Sequence, residues 1–319
     1  MSNMFVADVG GTNIRLALVQ HGELQQITKY LCKQFDTITD AINQFAIDVN
    51  VDSFEHGCIA IACPVNNDVV KMTNHSWAFS KLELQNQLSL NSLLVINDFS
   101  AVAFSLPALT MEQVIQIGPG EAVEKGNIAV FGPGTGLGVE HLTWTDNGWQ
   151  TLDGEGGHVD FAPNDEQDII IWHYIKAKLG RVAAEELLSG RGLVNIYTAL
   201  VMHAGGNIEF TDPADITQHA LASTDVTCVK AVQQFCRIMG SFAGNLALNL
   251  CTTGGVFIGG GIAPRLGDFF ANNEFRQKFE NKGNLAKYVK NIPTYLINEP
   301  NHGLLGALAY LLQQTKEKH

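Results

Sequence analysis

The sequence predicts a mixed α/β chain built as two domains. Antiparallel strand signals at the start give way to alternating helix and strand, the mark of a mixed sheet rather than a simple doubly wound one. A strand–glycine turn–strand unit occurs twice, at Gly10-Gly11-Thr12 and at Gly132-Pro133-Gly134-Thr135-Gly136, as in a duplicated fold with one copy per domain. At 319 residues, 46% of them hydrophobic, the chain is long for one core and suits two.

The first strand is read over residues 4–9. After the Gly10-Gly11-Thr12 turn, Asn13-Ile14-Arg15-Leu16 alternates polar and apolar, the period of a half-buried strand, and the strand runs to Gln20. His21-Gly22 turns the chain into a third strand over 23–33. Ile38, Ala41, Ile42 and Phe45 have helical spacing and predict a helix over 37–49. Short apolar runs at 57–62 and 93–96 fit strands covered on both faces. The second hairpin spans 127–144. Helical patterning then holds from 165 to 251, broken near Gly205-Gly206. A strand at 255–258 runs into Gly259-Gly260-Gly261 and a helix, and a strand at 294–297 with a helix at 304–314 ends the chain. No low-complexity linker is present, so the boundary is expected as a hinge near Pro107. Residues 1–108 would form a small domain, with 297–319 packing back on it, and 109–296 a large one.

The net charge of −12 argues against a nucleic-acid partner or an anionic membrane surface. A nucleotide remains possible where Mg²⁺, backbone N–H groups and helix N-termini supply the positive field. Met1-Ser2-Asn3-Met4 has no basic region of a signal peptide, and the most apolar stretch, 238–258, is interrupted by Ser241, Asn245, Asn249, Thr252 and Thr253. The six cysteines include no CxxC pair and read as buried free thiols in a reducing cytosol. Asn74-His75-Ser76 matches a glycosylation sequon, without meaning in a cytosolic chain.

Three glycine turns follow apolar strands: at Gly10-Gly11-Thr12, at Gly134-Thr135-Gly136 and at Gly259-Gly260-Gly261. Glycine lets backbone N–H groups approach a phosphate without a Cβ in the way. No glycine is followed by lysine, which excludes a Walker A loop, and the run at Gly132 does not fit G-x-G-x-x-G. Asp8 could orient Mg²⁺ through water, or simply cap a turn. Asn97-Asp98 ends a buried strand, where open sheets place reactive groups; Asp98 could equally be a helix N-cap. In Gly154-Glu155-Gly156-Gly157-His158, the two central glycines let a tight loop aim Glu155 and His158 at one point; a solvated loop is the plainer alternative. Glu185 would ordinarily be an exposed helix residue. Together, Asn97, Asp98, Glu155, His158 and Glu185 form the set of acceptors and donors that vicinal hydroxyls of a sugar require.

Asp8-Val9-Gly10-Gly11-Thr12-Asn13, Cys58 to Pro64, Met72 to Trp77, Ile96-Asn97-Asp98-Phe99, Gly134 to Gly138, Gly154 to Pro163 and Asn245 to Asn249 occur in one order. From about Phe5 to Gly306 the chain resembles the bacterial-type glucokinases of the actin/hexokinase/Hsp70 superfamily. The resemblance implies a two-domain actin-like ATPase (ribonuclease H-like) fold with mixed sheets and a cleft between domains. It implies that Gly10, Gly11, Thr12 and Asn13, with Gly134, Thr135 and Gly136, hold the phosphates of ATP, and that Gly259, Gly260 and Gly261 lie against the adenosine. Asn97, Glu155, His158 and Glu185 would hold D-glucose, with Asp98 as base, in a cytoplasmic homodimer. The related ROK kinases carry a cysteine-rich zinc motif; here no cysteine lies between Cys63 and Cys228, which places the chain in the non-ROK branch.

The implied reaction passes the γ-phosphoryl of ATP to O6 of glucose, with Asp98 at an ordinary pKa of about 4 receiving the hydroxyl proton and domain closure expelling water. A kinase for fructose or an N-acetylhexosamine is the nearest rival. A sugar-sensing regulator would need a DNA-binding segment, for which a first strand beginning by Met4 leaves no room. An ATPase without sugar chemistry would not need Glu155, His158 and Glu185. The segment 203–212 matches no pattern.

Overall fold

A computed structural model describes residues 3–72 and 75–316. The sequon at Asn74, the middle of the Met72 to Trp77 segment and the first two residues of the N-terminal reading lie outside the described residues. The chain divides into two compact units. One runs to Thr110 and takes in the chain from Glu299 onward; the other is Met111–Asn298.

The first unit holds a sheet of β1 (Met4–Val9), β2 (Asn13–Gln20), β3 (Glu23–Leu31), β4 (His56–Ile61) and, after the two-stranded ribbon β5 (Val69–Lys71) with β6 (Ala78–Ser80), β7 (Ser92–Asn97). The order is β3-β2-β1-β4-β7, antiparallel through β1–β3 and parallel through β1, β4 and β7. Register sets Asp8 opposite Arg15 on β2 and Ala60 on β4, and Ile61 opposite Asn97. The carboxyl ends of the three parallel strands thus come to one sheet edge. β3 stops at Leu31, two residues before the expected end, because the Gln34 side chain accepts a hydrogen bond from Leu31 N at 3.0 Å and folds Cys32–Gln34 into a 3₁₀ turn. The crossover helix Ile38–Asp48 is capped by Thr37, which bonds reciprocally with Asp40, and buries Ile38, Ala41, Ile42 and Phe45.

The second unit holds β8 (Val114–Gln116), β9 (Ile128–Pro133), β10 (Leu137–Thr145), β11 (Gly148–Thr151), β12 (Gly255–Ile258) and β13 (Thr294–Ile297), in the order β11-β10-β9-β12-β13-β8. Apart from β8 this repeats the first sheet: an antiparallel meander, then two parallel strands. The topological repeat is the one that the two glycine hairpins suggest. Helices Glu166–Leu179, Gly190–His203, Pro213–Leu221 and Val226–Asn249 occupy the stretch read as helical, and the first ends at Gly180 in the left-handed region (φ 77°). After Gly259-Gly260-Gly261 comes a 3₁₀ turn, Ala263–Leu266, and only then the short helix Asp268–Ala271.

Each unit has its own core. Phe5, Leu16, Phe45, Ile59 and Trp77 belong to the first, and Phe131, Ile171, Ile196, Phe235 and Phe275 to the second. Cys32, Cys58, Cys63, Cys228 and Cys236 are buried as expected, whereas Cys251 is exposed at the turn after the long helix. Among the described residues, no helix is long and apolar enough to cross a membrane.

Candidate active site

In the first unit the sequence-predicted residues gather at the carboxyl ends of β1 and β7. Gly10 N donates to Asn13 O at 2.9 Å and closes the first hairpin, while Cys32 N donates to Thr12 O at 2.9 Å and the buried Cys32 thiol to Gly10 O at 3.5 Å. Thr12 is exposed, with Gly10, Gly11 and Asn13 half-buried. Asp8 is fixed from one side by Arg15, whose Nη1 lies 3.2 Å from Oδ2, and from the other by Gly303, where a Cβ would come within 3.1–3.4 Å of the carboxylate. Arg15 could have been read from the sequence, because a tight hairpin after Val9 puts it across from Asp8. Gly303 could not.

Asn97, not Asp98, is the cap of the helix Asp98–Ser105: its Oδ1 accepts from Phe99 N at 2.8 Å and its Nδ2 donates to Cys63 O at 3.4 Å. The plain capping account of Asp98 is thereby corrected. Asp98 is the first residue of the helix, with Oδ1 3.0 Å from Phe99 N. Burial and, next, the charge of Asp8 push its carboxyl above the usual range, against the pull of Phe99 N and Asn97. The ordinary value expected from sequence is therefore corrected upward. The cause is tertiary: two carboxylates ninety residues apart in the chain come together, and sequence does not place them so.

In the second unit the remaining residues meet around the start of β10. Gly134 N donates to Gly136 O at 2.8 Å, which closes the second hairpin and leaves Thr135 exposed. Gly260, at φ 77°, packs so tightly on the Gly132-Pro133 backbone that a side chain would overlap it, and Gly259 N donates to Phe131 O at 2.8 Å. Gly261 has open space around it. The third glycine turn thus sits beside the second.

Glu155 precedes the 3₁₀ turn Gly156–His158, and both Glu155 and His158 are exposed. Gly157, the middle residue of this turn, has no room for a Cβ against the Leu137 carbonyl, and Gly156 packs on Val139. Phe161 N donates to Val182 O and Ala184 N to Val159 O, each at 2.9 Å, which draws Glu185 to the same place. Glu185 is in the 3₁₀ turn Ala184–Glu186 and not on an exposed helix; its side chain is 17% exposed. Oε2 accepts from Leu137 N at 2.9 Å, and Oε1 from Arg191 at 3.1 Å. Arg191 and Gly190, at the start of the helix Gly190–His203, are contacts that no sequence pattern indicated.

A divalent ion suits the donor set of the first unit in kind. Mg²⁺ keeps most of its waters and takes one or two carboxylates besides substrate phosphates, and Asp8 lies close enough to Asp98 for their charges to oppose each other. Among the described residues no group of three or more His, Cys, Asp or Glu forms an all-protein metal cage.

The family model for glucokinase matches residues 5–314. The glucokinase of Escherichia coli O9:H4 (strain HS) is 50% identical over 310 residues, 97% of this chain and 96% of the relative. Among solved structures, the glucokinase of an Antarctic psychrotroph superposes with a TM-score of 0.93 at 33% identity, over 98% of this chain and 99% of that one. The glucokinase of Balamuthia mandrillaris, solved in complex with glucose, reaches 0.80 at 22% identity, over 98% and 94%; at that identity it speaks for the fold alone. The expected actin-like ATPase fold with mixed sheets is borne out.

Proposed function

The chain belongs to the glucokinase family, and from that premise we propose that it transfers the γ-phosphoryl of Mg-ATP to O6 of D-glucose, with Asp98 as the base. The observation that carries the role of Asp98 is its setting: a partly desolvated carboxylate at a helix start, at the carboxyl end of a parallel strand, with a second carboxylate nearby. Asp98 orients the 6-hydroxyl and accepts its proton as the phosphoryl group arrives. A raised pKa makes it a better base than an ordinary aspartate.

The sugar hydroxyls would be held by Asn97, Glu155, His158 and Glu185. The two hairpins at Gly10–Asn13 and 134–136 would cradle the phosphates, and the turn at 259–261 would meet the adenosine. Asp8 would hold Mg²⁺ through water, beside the phosphates, and the ion would supply charge neutralisation to the transferring group. Five buried, unpaired thiols suit a reducing compartment, and a cytoplasmic location is proposed on that ground. A homodimer is proposed from the resemblance, and sedimentation of the purified enzyme would test it.

The test is ADP release from Mg-ATP with and without glucose, beside mannose, fructose and N-acetylmannosamine. Strong turnover with glucose alone supports the proposal. Turnover with another sugar only would overturn the substrate, and sugar-independent hydrolysis would overturn the reaction.

A further inference from the structure

The segment from Arg181 to Arg191 is hydrogen-bonded on two sides. Toward the loop of Glu155 and His158, Arg181 Nη2 donates to His158 O at 2.8 Å, beside the two backbone bonds through Val182 and Ala184. Toward the glycine turn at 134–136, Gly190 N donates to Gly134 O at 2.9 Å and Leu137 N donates to Glu185 Oε2 at 2.9 Å. Glu185 lies hard against that turn: a Cβ at Gly136 would be 2.7 Å from Oε2. Its other oxygen is held by Arg191 Nη2 at 3.1 Å, and Arg191 also bonds both oxygens of Glu186, at 2.8 and 3.0 Å. The fully buried Ser189 hydroxyl donates to Glu185 O at 2.8 Å. A carboxylate assigned to the sugar is thus hydrogen-bonded to the backbone of Leu137, the residue that directly follows the turn assigned to the nucleotide.

We propose that Arg191 is a positioning residue that locks Glu185 across Gly136, so that the sugar carboxylate and the nucleotide turn move as one body and each substrate favours binding of the other. This rests on the reading of Glu185 and the turn at 134–136 given above. A displacement of the turn by a bound phosphate passes through Leu137 N to Glu185 Oε2, and ordering of Glu185 by a sugar hydroxyl passes back the same way. By linkage the two effects on affinity are equal in size. The Arg191 side chain is 55% exposed, so its ion pairs add little to stability, and its loss changes the lock rather than the fold.

The test uses the full-length enzyme and the variants Gly136→Ala, Arg191→Gln and Arg191→Lys. KM is measured for glucose and for ATP, with calorimetric Kd of glucose in the presence and absence of the nonhydrolysable β,γ-imido analogue of ATP. Gly136→Ala is expected to raise the glucose KM about tenfold, as loss of one charge-assisted hydrogen bond would, although the residue lies in the nucleotide turn. In the unaltered enzyme the analogue is expected to tighten glucose by roughly fivefold or more; Arg191→Gln brings that ratio toward one, and Arg191→Lys restores part of it. A Gly136→Ala enzyme altered only in its ATP KM, or an unchanged ratio in Arg191→Gln, overturns the coupling and leaves the functional reading standing. No glucose turnover in the unaltered enzyme takes down both. Should Gly136→Ala fail to fold, the Arg191 pair decides.

Discussion

As the proposed base, Asp98 is under opposing demands: a base must be ionised, yet burial and Asp8 both favour its protonated form. Asp98→Asn keeps the shape, and kcat is expected to fall at least about 10²-fold with little change in glucose KM; near-normal turnover would remove Asp98 from the mechanism. Because Asp8 is the second cause of the shift, Asp8→Asn should move the acid limb of the pH–rate profile to lower pH. An unmoved limb would mean that some other group sets it. The sign for stability follows from the same shift. With its pKa raised in the folded state, Asp98 contributes stability fully below the unfolded value of about 3.9, and that contribution is lost as pH rises through the folded pKa. Asp98→Asn should therefore gain stability relative to the parent at neutral pH and lose the advantage near pH 3, as urea titrations at the two pH values would show. The motif Ile96-Asn97-Asp98-Phe99 was legible as a strand end with two polar groups; that Asn97 is the cap and that the Asp98 carboxyl is raised were not, because they depend on where Cys63 and Asp8 lie.

The loop at 154–158 shows what can be read of an element and what is hidden. Its glycines announce a tight turn in the sequence, but only packing tells which of them is needed. A Cβ at Gly154 would meet nothing within 4 Å, whereas one at Gly157 would abut the Leu137 carbonyl, a backbone atom that cannot swing aside. Gly154→Ala should leave Tm and glucose KM nearly unchanged, and Gly157→Ala should cost about 1–3 kcal/mol and raise glucose KM as Glu155 and His158 shift. Equal effects would mean that the loop is not seated on β10. The periodic helix Ile38–Asp48 was plain in the sequence, and β13 was read without a period, as a short apolar run. The short strands β5, β6, β8 and β11 were not, since three or four residues are too few to show a period, and their partners are supplied by the fold. Glu185 does not sit on a helix for a related reason: its turn is tied down by the bond from Ala184 N to Val159 O and its side chain by Leu137 N, partners remote in sequence.

At the scale of the molecule, the same five-strand order recurs in the two units, and each carries a glycine hairpin between the first two strands of the repeat. The first unit is discontinuous, and its closure depends on the helix His302–Lys316 lying against the helix Asp98–Ser105. Gly306 makes that approach possible, because a Cβ there would overlap the Ala101 carbonyl and come within 3.0 Å of Ser105 N. Gly306→Ala must push the two helices apart at an expected cost of about 1–3 kcal/mol, or roughly 5- to 150-fold faster amide exchange in whatever opens cooperatively with them. Because the cores of the two units are built from separate sets of residues, the faster exchange should be confined to peptides from 3–110 and 299–316. Hydrogen exchange read by mass spectrometry distinguishes the cases: acceleration spread equally into 111–298 would mean that the two cores open as a single cooperative body.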